Sequence, residues 1–157
     1  MLQSAGDLDG AAAAYRKAVA LQPDLARAHC NLGNVLKRQG RFAESLTAYE
    51  RGHELGAAAG WSYPSGEWVA EARRLVAAEG KLADVLAGWV SPAAAEDHVG
   101  YAVVCQATNR FAAAARLYHN AFALDPAVAT AVRRYDAACC AGVTPPGPRP
   151  PSGRRSR

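Results

Sequence analysis

A chain of 157 residues, half of them apolar, is long enough for one domain with a real core, and alanine supplies much of that apolar content. No run approaches the 18 or more apolar residues of a membrane span, and the opening MLQSAGDLDG has neither the basic region nor the apolar core of an export signal, so the cytoplasm is the expected compartment. The net charge of +4 does not sit on the fold: residues 1–142 hold 14 Lys plus Arg against 14 Asp plus Glu, and the surplus Arg149, Arg154, Arg155 and Arg157 all lie beyond them. That excludes a basic nucleic-acid face on the folded part and leaves a basic tail.

In chain order, a short remnant over Met1 to Ala5 precedes Gly6. An apolar stripe of Leu8, Ala11, Ala12, Tyr15, Ala18 and Val19 follows and closes at Pro23. The stripe reads as the second helix of a unit near 1–25 whose first helix is cut short. Because a repeat array normally carries a polar cap at its end, the missing cap points to a fragment of a longer protein. Asp24 is placed to cap the next helix.

The stretch 26–59 is the clearest. Leu32, Gly33, Leu36, Gly40, Phe42, Ser45 and Tyr49 put large residues three or four apart on two helical faces, with Gly40 ending the first helix. A mid-helix Gly costs about 1 kcal/mol against Ala, so Gly33 calls for a bulky neighbour packed on bare backbone, and Tyr49 is the expected one. The stretch resembles a tetratricopeptide (TPR) repeat, whose pattern runs Trp, Leu-Gly, Tyr, Ala, Phe, Pro. His29, Leu32-Gly33, Leu36, Ser45, Tyr49 and Ala57 stand at those positions, so the match is only partly literal.

The pattern recurs. Shifted back by 34 residues it falls on Gly6, Leu8, Ala11, Tyr15, Ala18 and Pro23; shifted forward by 69 it falls on Tyr101, Ala102, Cys105, Asn109, Phe111, Ala114, Tyr118, Ala121 and Pro126. Between them, 60–94 keeps the repeat length but loses the pattern. Pro64 pre-sets a helix start, and Trp68, Val69, Ala72, Leu75 and Val76 line a helix expected to end near Gly80. A shorter helix with Leu82, Val85, Leu86 and Trp89 should follow, and Ser91-Pro92 should open the next unit. After the unit at 95–128, residues 129–141 read as a capping helix with Val132, Tyr135 and Cys139 turned inward. Residues 143–157 have proline density without apolar periodicity and read as a disordered tail. The resemblance implies an all-α, right-handed α-solenoid over 1–142 with one truncated, two recognisable and one degenerate repeat.

A narrower resemblance is carried by GHELG at Gly52 to Gly56, by Trp61, Tyr63-Pro64-Ser65 and Glu67-Trp68-Val69, and by Tyr135-Asp136-Ala137-Ala138-Cys139. These look like the TPR region that follows the kinase domain in some large bacterial serine/threonine protein kinases. They imply a regulatory or docking arm, since no Gly-rich loop, HRD or DFG is present.

The chemical candidates are weak. Cys30, Cys105, Cys139 and Cys140 form no CxxC and read as small core residues. His29 and His98 share one repeat position and read as packing, while His53 and His119 stand apart from any Ser or Cys constellation. No catalytic site, metal or cofactor is expected. What remains is a groove: Arg27, Asn31, Asn34, Lys37 and Arg38 lie opposite the Leu32/Leu36 stripe, where amides can pair with a peptide backbone and cations can hold a carboxylate. The equivalent Glu96, Gly100, Val103, Gln106 and Ala107 do not continue that chemistry. The expected function is recognition of a protein or peptide segment. Self-association through an open N-terminal face is the alternative, and nucleic-acid binding through the arginine tail a weaker third.

Overall fold

The computed structural model describes residues 5–142; the remnant expected at the start and the tail at 143–157 fall largely outside them. Among the described residues the chain forms α1 (Ala5–Leu21), α2 (Ala26–Arg38), α3 (Phe42–Ala58), α4 (Ser65–Leu86), α5 (Ala95–Ala107), α6 (Phe111–Leu124), a 3-10 turn (Pro126–Val128) and α7 (Ala131–Cys140), with no strand. Each helix packs on the next, giving an all-α helical-repeat solenoid in which α2–α3 and α5–α6 are the tightest pairs. Gly6 lies inside α1 rather than at a turn.

Four helices, α2 to α5, stop by one device. Gly40, Gly60, Gly88 and Asn109 have φ of +75°, +72°, +80° and +60°. One residue further on, the amides of Arg41, Trp61 and Trp89 donate to the carbonyls of Leu36, Gly56 and Asp84 at 2.9 Å, and that of Arg110 donates to Cys105 at 2.7 Å. This six-to-one bond around a left-handed residue satisfies carbonyls that a helix end leaves open. Asn109 fills the glycine position of Gly40 because asparagine tolerates that conformation better than other side chains do.

The device explains the largest departure from the expected repeat. No turn forms at Gly80: α4 runs 22 residues through it, and the expected second helix of the 60–94 unit does not exist separately. Leu75, Ala78 and Leu82 are buried on one continuous stripe across Gly80. Burying Leu82 is worth roughly 2 kcal/mol, more than the ~1 kcal/mol that a helical glycine costs. The left-handed stop falls instead at Gly88, and the link to α5 leaves Trp89 82% exposed.

Starts differ from expectation as well. Leu25, not Asp24, precedes α2, with no side-chain cap. Ser91-Pro92 lies ahead of α5, whose flanking residue is Ala94. Pro64 does stand immediately before α4. The last helix starts later than expected, at a cap where the Thr130 hydroxyl oxygen accepts from the Arg133 amide. Arg133, Asp136, Ala137 and Cys140 share one stripe: Arg133 pairs with Glu96 on α5, Ala137 packs on the core, and Cys140 is buried in it. Tyr135 and Cys139, expected inward, are exposed.

Within α2–α3 the packing is as close as Gly33 required. A Cβ at Gly33 would lie 2.9 Å from Cγ and Cδ1 of Tyr49. Beside it, the buried Ser45 hydroxyl donates to the Gly33 carbonyl at 2.7 Å. Gly52 meets α2 nearer its start, where a Cβ would sit 2.5 Å from Cys30 Sγ and 3.1 Å from the Ala26 carbonyl oxygen. Later residues of α3 thus face earlier residues of α2, so the pair is antiparallel. In α5–α6 the equivalent Ala102, Ala114, Tyr118 and Ala121 are all fully buried.

Candidate functional site

The face of α2 away from Leu32 and Leu36 borders a cavity of about 410 Å³. Four of the five expected groove residues line it: Arg27, Asn31, Asn34 and Lys37. Arg38 does not. It lines a smaller cavity of about 190 Å³ toward α1, with Leu8, Ala11 and Tyr15, and shares with the main cavity only Asn31 and Asn34. The reason is helical phase, because Arg38 stands about 100° round α2 from Lys37 and so faces the preceding helix.

Sequence reasoning missed the opposite wall, made of Tyr49, Trp61, Tyr63, Trp68 and Glu71. Trp61 and Tyr63 meet edge to face at 5.1 Å between ring centroids, and Tyr49 and Trp68 lie 6.1 Å apart, tilted. Both are ordinary favourable aromatic geometries that hold the wall in place. Burial pushes the Tyr49 phenol well above its ordinary range, with the Glu71 carboxylate adding to the shift, so it is a protonated donor. Lys37 Nζ donates to Glu71 at 3.1 Å, tying α2 to α4 across the cavity floor.

A signal for that wall was present. Gly52 and Gly56 stand four apart on α3; the first admits α2, and the second admits Trp61, whose Cε3 lies 2.8 Å from where a Cβ would be. The glycines of GHELG are therefore packing notches, and the tryptophan that follows is the group one of them receives.

The cavity continues past Lys37 and Glu71 into a second of about 710 Å³ bounded by α5 and α7. Here Glu96, Val103 and Gln106 stand where the first unit has Arg27, Asn34 and Lys37, and Asp125 and Asp136 join them. Arg133 holds Glu96 through two bonds of 3.0 Å. Burial raises the Asp136 acid above its ordinary value, partly offset by a bond from Gln106.

The remaining chemistry-bearing residues hold structure. His53, expected to stand apart from any serine, has Nδ1 2.9 Å from the Ser65 hydroxyl. Ser65 is buried at the start of α4, so this contact clasps α3 to α4 and offers no nucleophile to solvent. His29 Nε2 bonds the Pro23 carbonyl at 2.9 Å, closing the turn into α2, and His98 is buried in α5. Cys30, Cys105 and Cys140 are buried thiols whose pKa burial raises, which suits core packing. Cys139 is the exposed exception.

No helix of the described residues is long and apolar enough to cross a membrane. The TPR repeat family matches residues 1–40, and the tetratricopeptide repeat family matches residues 26–56. No curated protein matches the chain, so the likeness to kinase-associated regions rests on the quoted residues alone. Models of the tetratricopeptide repeat thus match residues 1–56 of a chain whose described residues form an all-α helical-repeat fold.

Proposed function

We propose that this protein is a non-catalytic interaction module that takes an extended peptide segment in the cavity beside α2. One observation carries the reading: two amides and two cations from a single helix converge with four aromatic rings and one carboxylate around about 410 Å³. A space of that size accepts one large apolar or aromatic side chain. Asn31 and Asn34 can pair with the backbone on either side of that anchor, and Arg27 can hold an acidic neighbour. TPR repeats generally mediate protein–protein interaction, which supports the same class. Four free thiols suit a reducing compartment such as the cytoplasm.

Selection from a displayed library of random peptides tests the proposal. Enriched sequences should share an aromatic or large aliphatic anchor and lose at least tenfold in affinity on Asn31→Ala or Asn34→Ala. A library that yields no enriched sequence, or peptides indifferent to both substitutions, contradicts it. Leu21 and Leu25, exposed where α1 leads into α2, favour self-association as the second reading. Light scattering that shows mass rising with concentration, and falling again on Leu21→Lys, would select that reading. A role as the regulatory arm of a serine/threonine kinase is the finer form of the first reading. A kinase domain in frame upstream of residue 1 supports it, and an unrelated upstream sequence removes it.

A further inference from the structure

The second cavity and the tail carry opposite charge. Glu71, Glu96, Asp125 and Asp136 line the cavity against only Lys37 and Arg133. Residues 143–157 contain four arginines, five prolines and no acidic residue. Asp136 lies in α7 itself, seven residues before the tail begins, so the cavity is within the tether's reach. Fifteen residues in an extended, proline-rich conformation span about 45 Å, more than twice the ~20 Å length of a 13-residue helix such as α5. The apolar part of the lining, Val99, Val103 and Val128, offers flat aliphatic surface to proline rings.

We infer that residues 143–157 dock in cis into the acidic cavity between α4, α5 and α7, with their arginines against Glu71, Glu96, Asp125 and Asp136. Ion pairs at a partly exposed groove are individually weak, so several arginines must act together, and tethering supplies the remainder. A short linker holds the tail at an effective concentration on the order of 1 mM, enough to occupy a site of modest intrinsic affinity. The docked tail occupies the end of the groove next to the α2 cavity and limits how far a peptide can extend toward α7. The inference goes beyond the reading of the α2 cavity and stands if that reading fails.

The test uses a fluorescent synthetic peptide with the sequence of residues 143–157. It is titrated against the full chain and against a full-length variant in which Arg149, Arg154, Arg155 and Arg157 are all replaced by Ser. The variant, whose own tail no longer competes, should bind the peptide at least tenfold more tightly than the unmodified chain. In the variant background, Asp136→Asn and, separately, Glu71→Gln should each weaken binding several-fold, and raising salt from 50 to 200 mM should weaken it further. Equal affinity for the two full-length chains overturns the inference, as does binding unmoved by both neutralising substitutions. Dimers that vanish when the arginines are replaced would place the tail on a second copy and overturn docking in cis.

Discussion

In α2–α3 a glycine lies against the tyrosine ring and a serine hydroxyl bonds the glycine carbonyl; in α5–α6 the same positions hold Ala102, Tyr118 and Ala114. Both solutions bury the tyrosine, at 4% and 0% exposure, so inward chemistry is interchangeable provided the volumes sum correctly. Outward chemistry is not. The first pair presents Arg27, Asn31, Asn34 and Lys37 to a cavity walled by aromatics, whereas the second presents Glu96, Val103 and Gln106 to an acidic one. The phenylalanines opening the second helices diverge in the same way: Phe42 is 1% exposed, packed in the core with Leu75 and Ala78, while Phe111 is 47% exposed. The repeat period therefore fixes the packing, and the two pairs differ on the face that the packing leaves free.

The largest expected effect should be common to both pairs. Burial raises Tyr49, Tyr118, Cys30 and Cys105 above their ordinary values of 10.0 for the phenols and 9.0 for the thiols. The unfolded chain gives up these protons first, so their contribution is whole below about pH 9 and is lost progressively as pH rises above 9 for the thiols and 10 for the phenols toward their raised folded values. Unfolding followed by circular dichroism should show stability falling steeply in that range. Tyrosinate absorbance at 295 nm should show the buried phenols ionising only as the helices melt. A phenol that ionised in the folded chain would separate the pair that holds it from the other.

Gly33→Leu should separate the pairs by about 3 kcal/mol of lost stability, because the Tyr49 ring must be displaced. The reciprocal Ala102→Gly should cost about 1 kcal/mol. An unchanged melt for Gly33→Leu would mean that the ring does not lie there. Gly80→Ala should raise stability by about 1 kcal/mol, or a few degrees in Tm, since a Cβ there meets nothing within 4 Å and the residue is helical. Gly40→Ala, at φ +75°, should lower it by a comparable amount. If Gly80→Ala lowered Tm, the two-helix form of the 60–94 unit would regain its case. Smallest is Ser45→Ala, about 1 kcal/mol or less, because the Gly33 carbonyl that loses its hydroxyl partner is also placed for a helical bond.

Much of the fold was legible because it repeats. Gly33 announced Tyr49, and the positions of Tyr118, Ala114 and Ala121 followed by translation along the chain. What failed was punctuation. Gly80 and Gly88 look alike in sequence, and only the stripe of Leu75, Ala78 and Leu82 continuing across the former distinguishes a costly helical glycine from a stop. At α7, the stripe of Arg133, Ala137 and Cys140 takes the packed side, so Tyr135 faces out. For the candidate site, one wall was legible because it lies on a single helix at regular spacing. The other wall comes from α3, the α3–α4 loop and α4 together, and its local traces were Trp61, Tyr63 and Trp68 themselves and GHELG, whose glycines serve as notches for Cys30 and Trp61. Arg38 borders the neighbouring cavity and not the main one because a run of adjacent polar residues on a helix spreads over more than one face.

Amide hydrogen exchange of the full chain, alone and saturated with a library-selected peptide, tests most directly whether recognition belongs to the α2 side. Slowed exchange confined to residues 27–37 and 61–71, with 96–107 unchanged, is the expected result. Slowing confined to 96–107, or none anywhere under saturating peptide, would contradict it.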